Sequence, residues 1–220
     1  MTLLTNGLIF QLAKEDQTRL QGICQPVALV AGQSLCPPGP TPNAKVYFLT
    51  GACVALLMEN PPHNSLAVGL VGAEGVIGLG SALDSGSENW FCHVQTSGSA
   101  WVANSSDLTR LLHQRPGMLW VISQYLWQLA GHVASLSASV QFDDITTRLA
   151  HWVALSAERA QTVQLQLTHE HLAQMLGVRR VSITLAAGEL KERGLIRYQR
   201  GILDVLDMPG LREMTRSHSV

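Results

Sequence analysis

The stretch Leu167-Thr168-His169-Glu170-His171-Leu172-Ala173-Gln174-Met175-Leu176-Gly177-Val178-Arg179-Arg180-Val181-Ser182-Ile183-Thr184-Leu185-Ala186-Ala187-Gly188-Glu189-Leu190 reads as two helices around a tight turn. Thr168 suits an N-cap, small Ala173 lets the two helices cross closely, and Gly177 permits the backbone turn between them. Leu172, Met175, Leu176, Val178, Ile183, Ala187 and Leu190 form the shared core on this reading. That leaves Arg179, Arg180, Val181, Ser182 and Leu185 near the start and outer face of the second helix. In a helix-turn-helix those positions meet the major groove. Arg180 is then expected to read a guanine, with Val181 and Leu185 making apolar base contacts such as to thymine methyls. Thr168, Arg179 and Ser182 are expected at phosphates.

After Gly194, the runs Leu195 to Tyr198 and Ile202 to Val205 flank Gln199-Arg200-Gly201, a hairpin with a basic tip. This is the expected wing, and Arg200 is a fourth phosphate candidate. Charge supports the pattern. The formal net charge is −1, yet residues 1–147 hold five Lys/Arg against nine Asp/Glu, while residues 148–220 hold ten against seven. From Arg179 to Arg200 six bases face two acids, a modest footprint for a polyanion. The bland alternatives are a solvated helix start for Arg179 and Arg180, and a hairpin tip charged for solubility at Arg200.

Upstream, Pro116-Gly117 opens a long helix, and Met118 to Phe142 contains no Asp, Glu, Lys or Arg. Its polar Gln124, Gln128, His132 and four serines argue for burial by protein over a membrane span. Met118, Ile122, Tyr125, Leu129, Val133, Leu136 and Val140 recur in steps of four and three, the spacing of a helix-pairing seam. Leu119, Trp120, Leu126 and Trp127 make the helix apolar elsewhere too, as needed to face both a β-domain and a partner. The rival is a helix buried wholly within its own chain. Asp143 or Asp144 caps a further helix over Ile145 to Arg159.

Residues 8–22 read as a short helix. From about 26 to 104, short apolar runs alternate with Gly, Pro and Asn: Val27–Val30, Val46–Leu49, Cys53–Met58, Leu66–Val71, Val76–Leu79, Trp90–Val94 and Ala100–Ala103. That texture predicts a compact β-roll or barrel. The expected class is α+β: an antiparallel, jelly-roll-like β-roll over residues 1–115, a dimerisation helix and hinge over 116–142, and a winged helix-turn-helix over 143–220. Cys24, Cys36, Cys53 and Cys92 are widely spaced and form no C-x-x-C pair, so they read as reduced, buried thiols of a cytoplasmic protein. The first ten residues have no basic region and only a short apolar run, so no export signal is expected.

The sequence resembles the Crp/Fnr superfamily along nearly its whole length. The resemblance rests on Leu167 to Arg180, on Gly194 to Tyr198 with Arg200-Gly201, and on Leu206 to Leu211. Val71-Gly72-Ala73-Glu74-Gly75-Val76-Ile77-Gly78 is similar to the glycine-rich turn of the family's cyclic-nucleotide-binding-like roll. It implies a homodimer on a pseudo-palindromic operator that activates or represses promoters by contacting RNA polymerase, with an allosteric link from roll to reader. Where the family pattern reads bases with Arg, Glu and Arg, this sequence has Arg180, Val181 and Leu185, so a different operator is expected. Where cyclic-nucleotide members carry an Arg-Ser pair and a ribose-binding Glu, it has Glu88, Asn89 and Leu79, and a carboxylate repels a phosphate.

No cofactor is evident. Cyclic AMP is not expected for that reason, nor an iron-sulfur cluster, whose closely spaced cysteines are missing. Haem on His93, His113 or His132 is not expected either, because a lone histidine is more often simply packed. His169-Glu170-His171 lacks the H-E-x-x-H spacing and reads as a solvated helix start, and Gly75 to Gly80 lacks the dinucleotide glycine order. An enzyme using the roll cavity would need a catalytic constellation that the spacing does not offer. A scaffold whose helix-turn-helix binds only protein would lack salt-dependent DNA affinity.

Overall fold

The computed structural model describes residues 2–36, 43–60, 64–83 and 90–215. After a 3-10 turn at Leu3–Thr5 come α1, Gly7–Phe10, and α2, Lys14–Ile23, where one helix was expected. Asn6 explains the first boundary. Its Oδ1 accepts from Ile9 N at 3.1 Å, capping α1, while its Nδ2 donates to Leu49 O and Gly75 O, each at 2.7 Å. Gln17 Nε2 lies within hydrogen-bond distance of the carbonyls of Ile9, Phe10 and Leu12, bracing the chain between α1 and α2.

Eight strands follow: β1 Gln25–Leu29, β2 Ser34–Cys36, β3 Lys45–Leu49, β4 Cys53–Asn60, β5 Asn64–Val71, β6 Val76–Ile77, β7 Phe91–Thr96 and β8 Gly98–Asn104, with α3, Leu79–Ala82, between β6 and β7. They make two four-stranded sheets, ordered β1-β8-β3-β6 and β2-β7-β4-β5, the antiparallel roll expected from the punctuated apolar runs. The glycine-rich turn has no room for side chains. A Cβ on Gly75 would lie 2.5 Å from the Tyr125 hydroxyl, and one on Gly78, whose φ is +88°, would lie 2.2 Å from Lys45 O. All four cysteines are buried and reduced, and burial pushes the Cys24 thiol up to about 12.

Helix α4 spans Ser105–Gln114 and α5 spans Met118–Phe142, the charge-free stretch. No helix among the described residues is long and apolar enough to cross a membrane. The seam requires a correction. Met118, Ile122 and Tyr125 are buried in the core of their own roll, with Val46, Phe48 and Leu108, and Leu129 packs against the same cluster. The Tyr125 hydroxyl donates to Val76 O at 3.2 Å. Leu136 is also buried and Val133 half-buried. The outward face carries Trp120, 70% exposed, and Trp127, 82% exposed, beside Leu119 and Leu126. Apolar periodicity located two faces but could not say which one the roll takes.

The C-terminal elements are α6 Ile145–Ala160, β9 Gln164–Gln166, α7 His169–Leu176, α8 Arg180–Glu192, β10 Ile196–Gln199, β11 Ile202–Val205 and α9 Met208–Met214. Asp144 caps α6 by accepting from Thr147 N at 2.8 Å. Helix α6 packs against α8 and α9, burying Leu149, Trp152, Val153, Ile183, Leu190 and Leu211. By compactness the chain forms two units, residues 1–56 with 71–130, and residues 57–70 with 131–220, so α5 contributes to both.

Candidate nucleic-acid interface

Local chemistry sets each boundary of the helix-turn-helix. Thr168 Oγ1 accepts from His171 N at 3.1 Å, the capping bond expected of it. Helix α7 ends at Gly177, with φ +63°, and Val178 N donates back to Ala173 O at 3.0 Å, a Schellman closure that turns the chain toward α8. Arg148 of α6 donates to Leu176 O, and Thr146 donates to Glu189 Oε2 at 2.8 Å, fixing both helices to the same support. Leu172, Met175, Leu176, Ile183, Ala187 and Leu190 are buried as expected, and Val178 is half-buried.

The outer face is a mixture of cation and exposed hydrocarbon. Val181 is 69% exposed and Leu185 71%, and they lie one turn apart on α8. Arg179, Arg180 and Thr168 are exposed and Ser182 is half-buried. Because α8 begins at Arg180, its N-terminal partial positive charge adds to these cations.

Strands β10 and β11 pair Gln199 with Ile202 and Arg197 with Asp204, leaving Arg200-Gly201 as a two-residue loop. Both loop residues have positive φ, +50° and +80°, the type I′ geometry whose twist matches a hairpin. A Cβ on Gly201 would sit 3.5 Å from Thr168 Cγ2, so the wing tip lies beside the start of α7. Strand β9, which sequence reading missed, adds a third strand in the order β10-β11-β9.

Ion pairing sorts the cations. Arg197 pairs with Asp204 at 3.0 Å, Arg193 with Glu189, and Arg212 with Glu158 at 2.7 Å. Gln164 Nε2 also donates to Asp204, and these two hydrogen bonds hold the Asp204 carboxyl below the usual range. Arg179, Arg180, Lys191 and Arg200 have no ion-pair partner among the described residues. The bases left available are therefore chiefly those at the recognition-helix start and the wing tip. The sequence reading missed the Arg197–Asp204 pair because it took Gln199-Arg200-Gly201 as the tip, whereas the two-residue loop sets Arg197 opposite Asp204.

The structure also assembles residues that the sequence did not single out together. His169 stacks on Tyr198 with ring centroids 4.4 Å apart, and its Nδ1 is 3.0 Å from Thr184 Oγ1. Burial, reinforced by Arg180, holds the His169 pKa below the ordinary histidine value, and burial also depresses that of His151, with Asp143 and Glu158 opposing. Both rings are favoured as neutral, so the unfolded chain takes up protons first as pH falls below about 6.5. Stability from these two groups is complete above that pH and is lost as pH drops through their folded values. The urea midpoint of the C-terminal unit is expected to fall between about pH 7.5 and 5.5, above the range where Asp204 titrates. An unchanged midpoint would contradict this.

The Crp-like helix-turn-helix domain family matches residues 147–214, which span α6 to α9. The transcriptional regulator SdrP of Thermus thermophilus is 26% identical over 197 residues, covering 87% of this chain and 94% of SdrP. Residues 147–214 thus belong to the Crp-like helix-turn-helix domain family, and the chain as a whole is similar to transcription regulators of the Crp/Fnr type. Among solved structures, a Crp/Fnr-family regulator of Thermus thermophilus is 25% identical with a TM-score of 0.70, covering 89% of this chain and 100% of that one. A Crp/Fnr-family regulator of Eubacterium rectale shares the fold at 14% identity, with a TM-score of 0.74 over 97% of this chain and 99% of its own. Val181 and Leu185, at the positions where the resemblance expects a base-reading Glu and Arg, are exposed residues of α8. Of the three sensor positions, Leu79 is buried at the start of α3, and Glu88 and Asn89 lie outside the described residues.

Proposed function

We propose that the protein is a homodimeric reader of a pseudo-palindromic DNA operator, switching promoters on or off through contact with RNA polymerase and without cyclic AMP. One observation carries the reading: Arg179, Arg180 and Arg200, which have no ion-pair partner among the described residues, share the helix-turn-helix and wing with the exposed Val181 and Leu185. Arg180 reads a guanine by a bidentate pair, Val181 and Leu185 meet thymine methyls, and Thr168, Arg179, Ser182 and Arg200 hold phosphates. Dimerisation uses the outward face of α5 around Trp120 and Trp127, which the described residues leave largely exposed. Independence of cyclic AMP is supported by buried Leu79, which offers no acceptor to a ribose hydroxyl.

Selection from random duplex DNA at two salt concentrations tests the proposal. The expected result is an enriched inverted repeat with half-sites about 10 base pairs apart, bound less tightly at the higher salt as phosphate contacts release counterions. Failure to enrich any sequence, with or without cell extract as a source of effector, would overturn it.

A further inference from the structure

His169, the first residue of α7, does more than a helix start requires, because Thr168 already supplies the cap. Its ring lies against Tyr198 of β10, at 4.4 Å and 27° between planes, and the Tyr198 hydroxyl in turn donates to Leu167 O at 2.7 Å. Its Nδ1 meets Thr184 Oγ1 of α8 at 3.0 Å. That hydroxyl lies 3.2 Å from Arg180 O, one turn back, and donates its single proton there. Thr184 Oγ1 therefore accepts from Nδ1–H, which assigns the tautomer. Nε2 is buried with no hydrogen-bond partner among the described residues, so a proton there would be buried without an acceptor. The wing, the first helix and the recognition helix thus meet on one neutral imidazole, and the hydrogen bond lands in the turn that presents Arg180.

We propose that neutral His169 is a positioning residue that fixes the recognition helix against the wing and so sets selectivity for the operator over other DNA. The inference rests on the DNA-reading function proposed above. Base-edge hydrogen bonds demand placement within about 0.5 Å and 10–20°. A flexible arginine follows a phosphate through larger shifts. Loosening α8 therefore costs specific contacts and spares the electrostatic ones.

The test measures affinity of the full chain for its selected operator and for a scrambled duplex, across a salt series, in His169→Phe, His169→Asn and Thr184→Val. Phenylalanine keeps the stacking and loses the donor. Asparagine places an amide nitrogen near the Nδ1 position, and valine removes the acceptor at nearly constant shape. The ratio of operator to scrambled affinity is expected to fall on the order of tenfold in His169→Phe and Thr184→Val, with scrambled affinity and salt slope unchanged. His169→Asn is expected to recover most of the ratio. An unchanged ratio in both donor-less and acceptor-less variants, or equal losses on both duplexes, overturns the positioning role. Thr184→Val decides alone if His169→Phe does not fold. Wild-type protein that selects no operator fails the DNA-reading function itself, an outcome distinct from an operator read equally well by wild type and variants.

Discussion

Replacing Trp120 and Trp127 together by glutamate is expected to leave a folded chain that no longer self-associates and loses operator affinity by about 10²–10⁴-fold. The two indoles lie seven residues apart on the outward face of α5, and both are largely exposed. A tryptophan buries roughly 150–250 Å² at an interface. Four of them across the proposed two-fold seam would remove several hundred Å² of apolar surface, on the order of 10 kcal/mol gross at ~25 cal/mol per Å² before the cost of association. Four carboxylates brought together there reverse the sign. Because neither residue belongs to the chain's own core, the loss falls on association and spares folding. Light scattering that still gives the mass of two chains, with operator affinity intact, would falsify the assignment of this face. Substitutions at Met118 or Ile122 are expected to act in the opposite sense, unfolding the roll they help fill.

Arg180→Ala is expected to weaken operator binding by about 1–3 kcal/mol per half-site, hence roughly 2–6 kcal/mol for a dimer, and to relax preference at one base position in each half. Arg179→Ala and Arg200→Ala, by contrast, weaken all DNA alike and shallow the salt dependence by about one counterion each per half-site. The separation follows from placement. Arg180 starts α8 with an exposed side chain and no ion pair among the described residues, whereas Arg200 sits on the wing loop. Binding to the selected operator at two salts, with the base preference re-determined for each variant, distinguishes them. An Arg180→Ala protein with unaltered preference would show that Arg180 is only a phosphate contact.

Much of this was legible because the signals are local. Thr168, Gly177 and the apolar spacing between them are enough to place two helices and a turn, since a cap, a left-handed residue and a period of 3.6 are each written within a few positions. The Arg200-Gly201 loop is local in the same way. The start of α1 and its separation from α2 were not, because Asn6 acts through bonds to the distant Leu49 and Gly75 carbonyls, and Gln17 reaches back from α2 to the Ile9, Phe10 and Leu12 carbonyls.

The sequence alone determined the extent of α5, Met118–Phe142 after Pro116-Gly117, and the order of strands, long helix and winged helix-turn-helix. Only the tertiary structure decided which face of α5 turns inward, since a helix apolar on both sides gives its periodicity no polar side to point outward, and the Tyr125 bond to Val76 breaks the tie. Tertiary structure likewise decided that His169 joins Tyr198 to Thr184. Each of these outcomes depends on where a second element comes to rest, a position fixed by the packing of the whole unit and carried by no short stretch of chain.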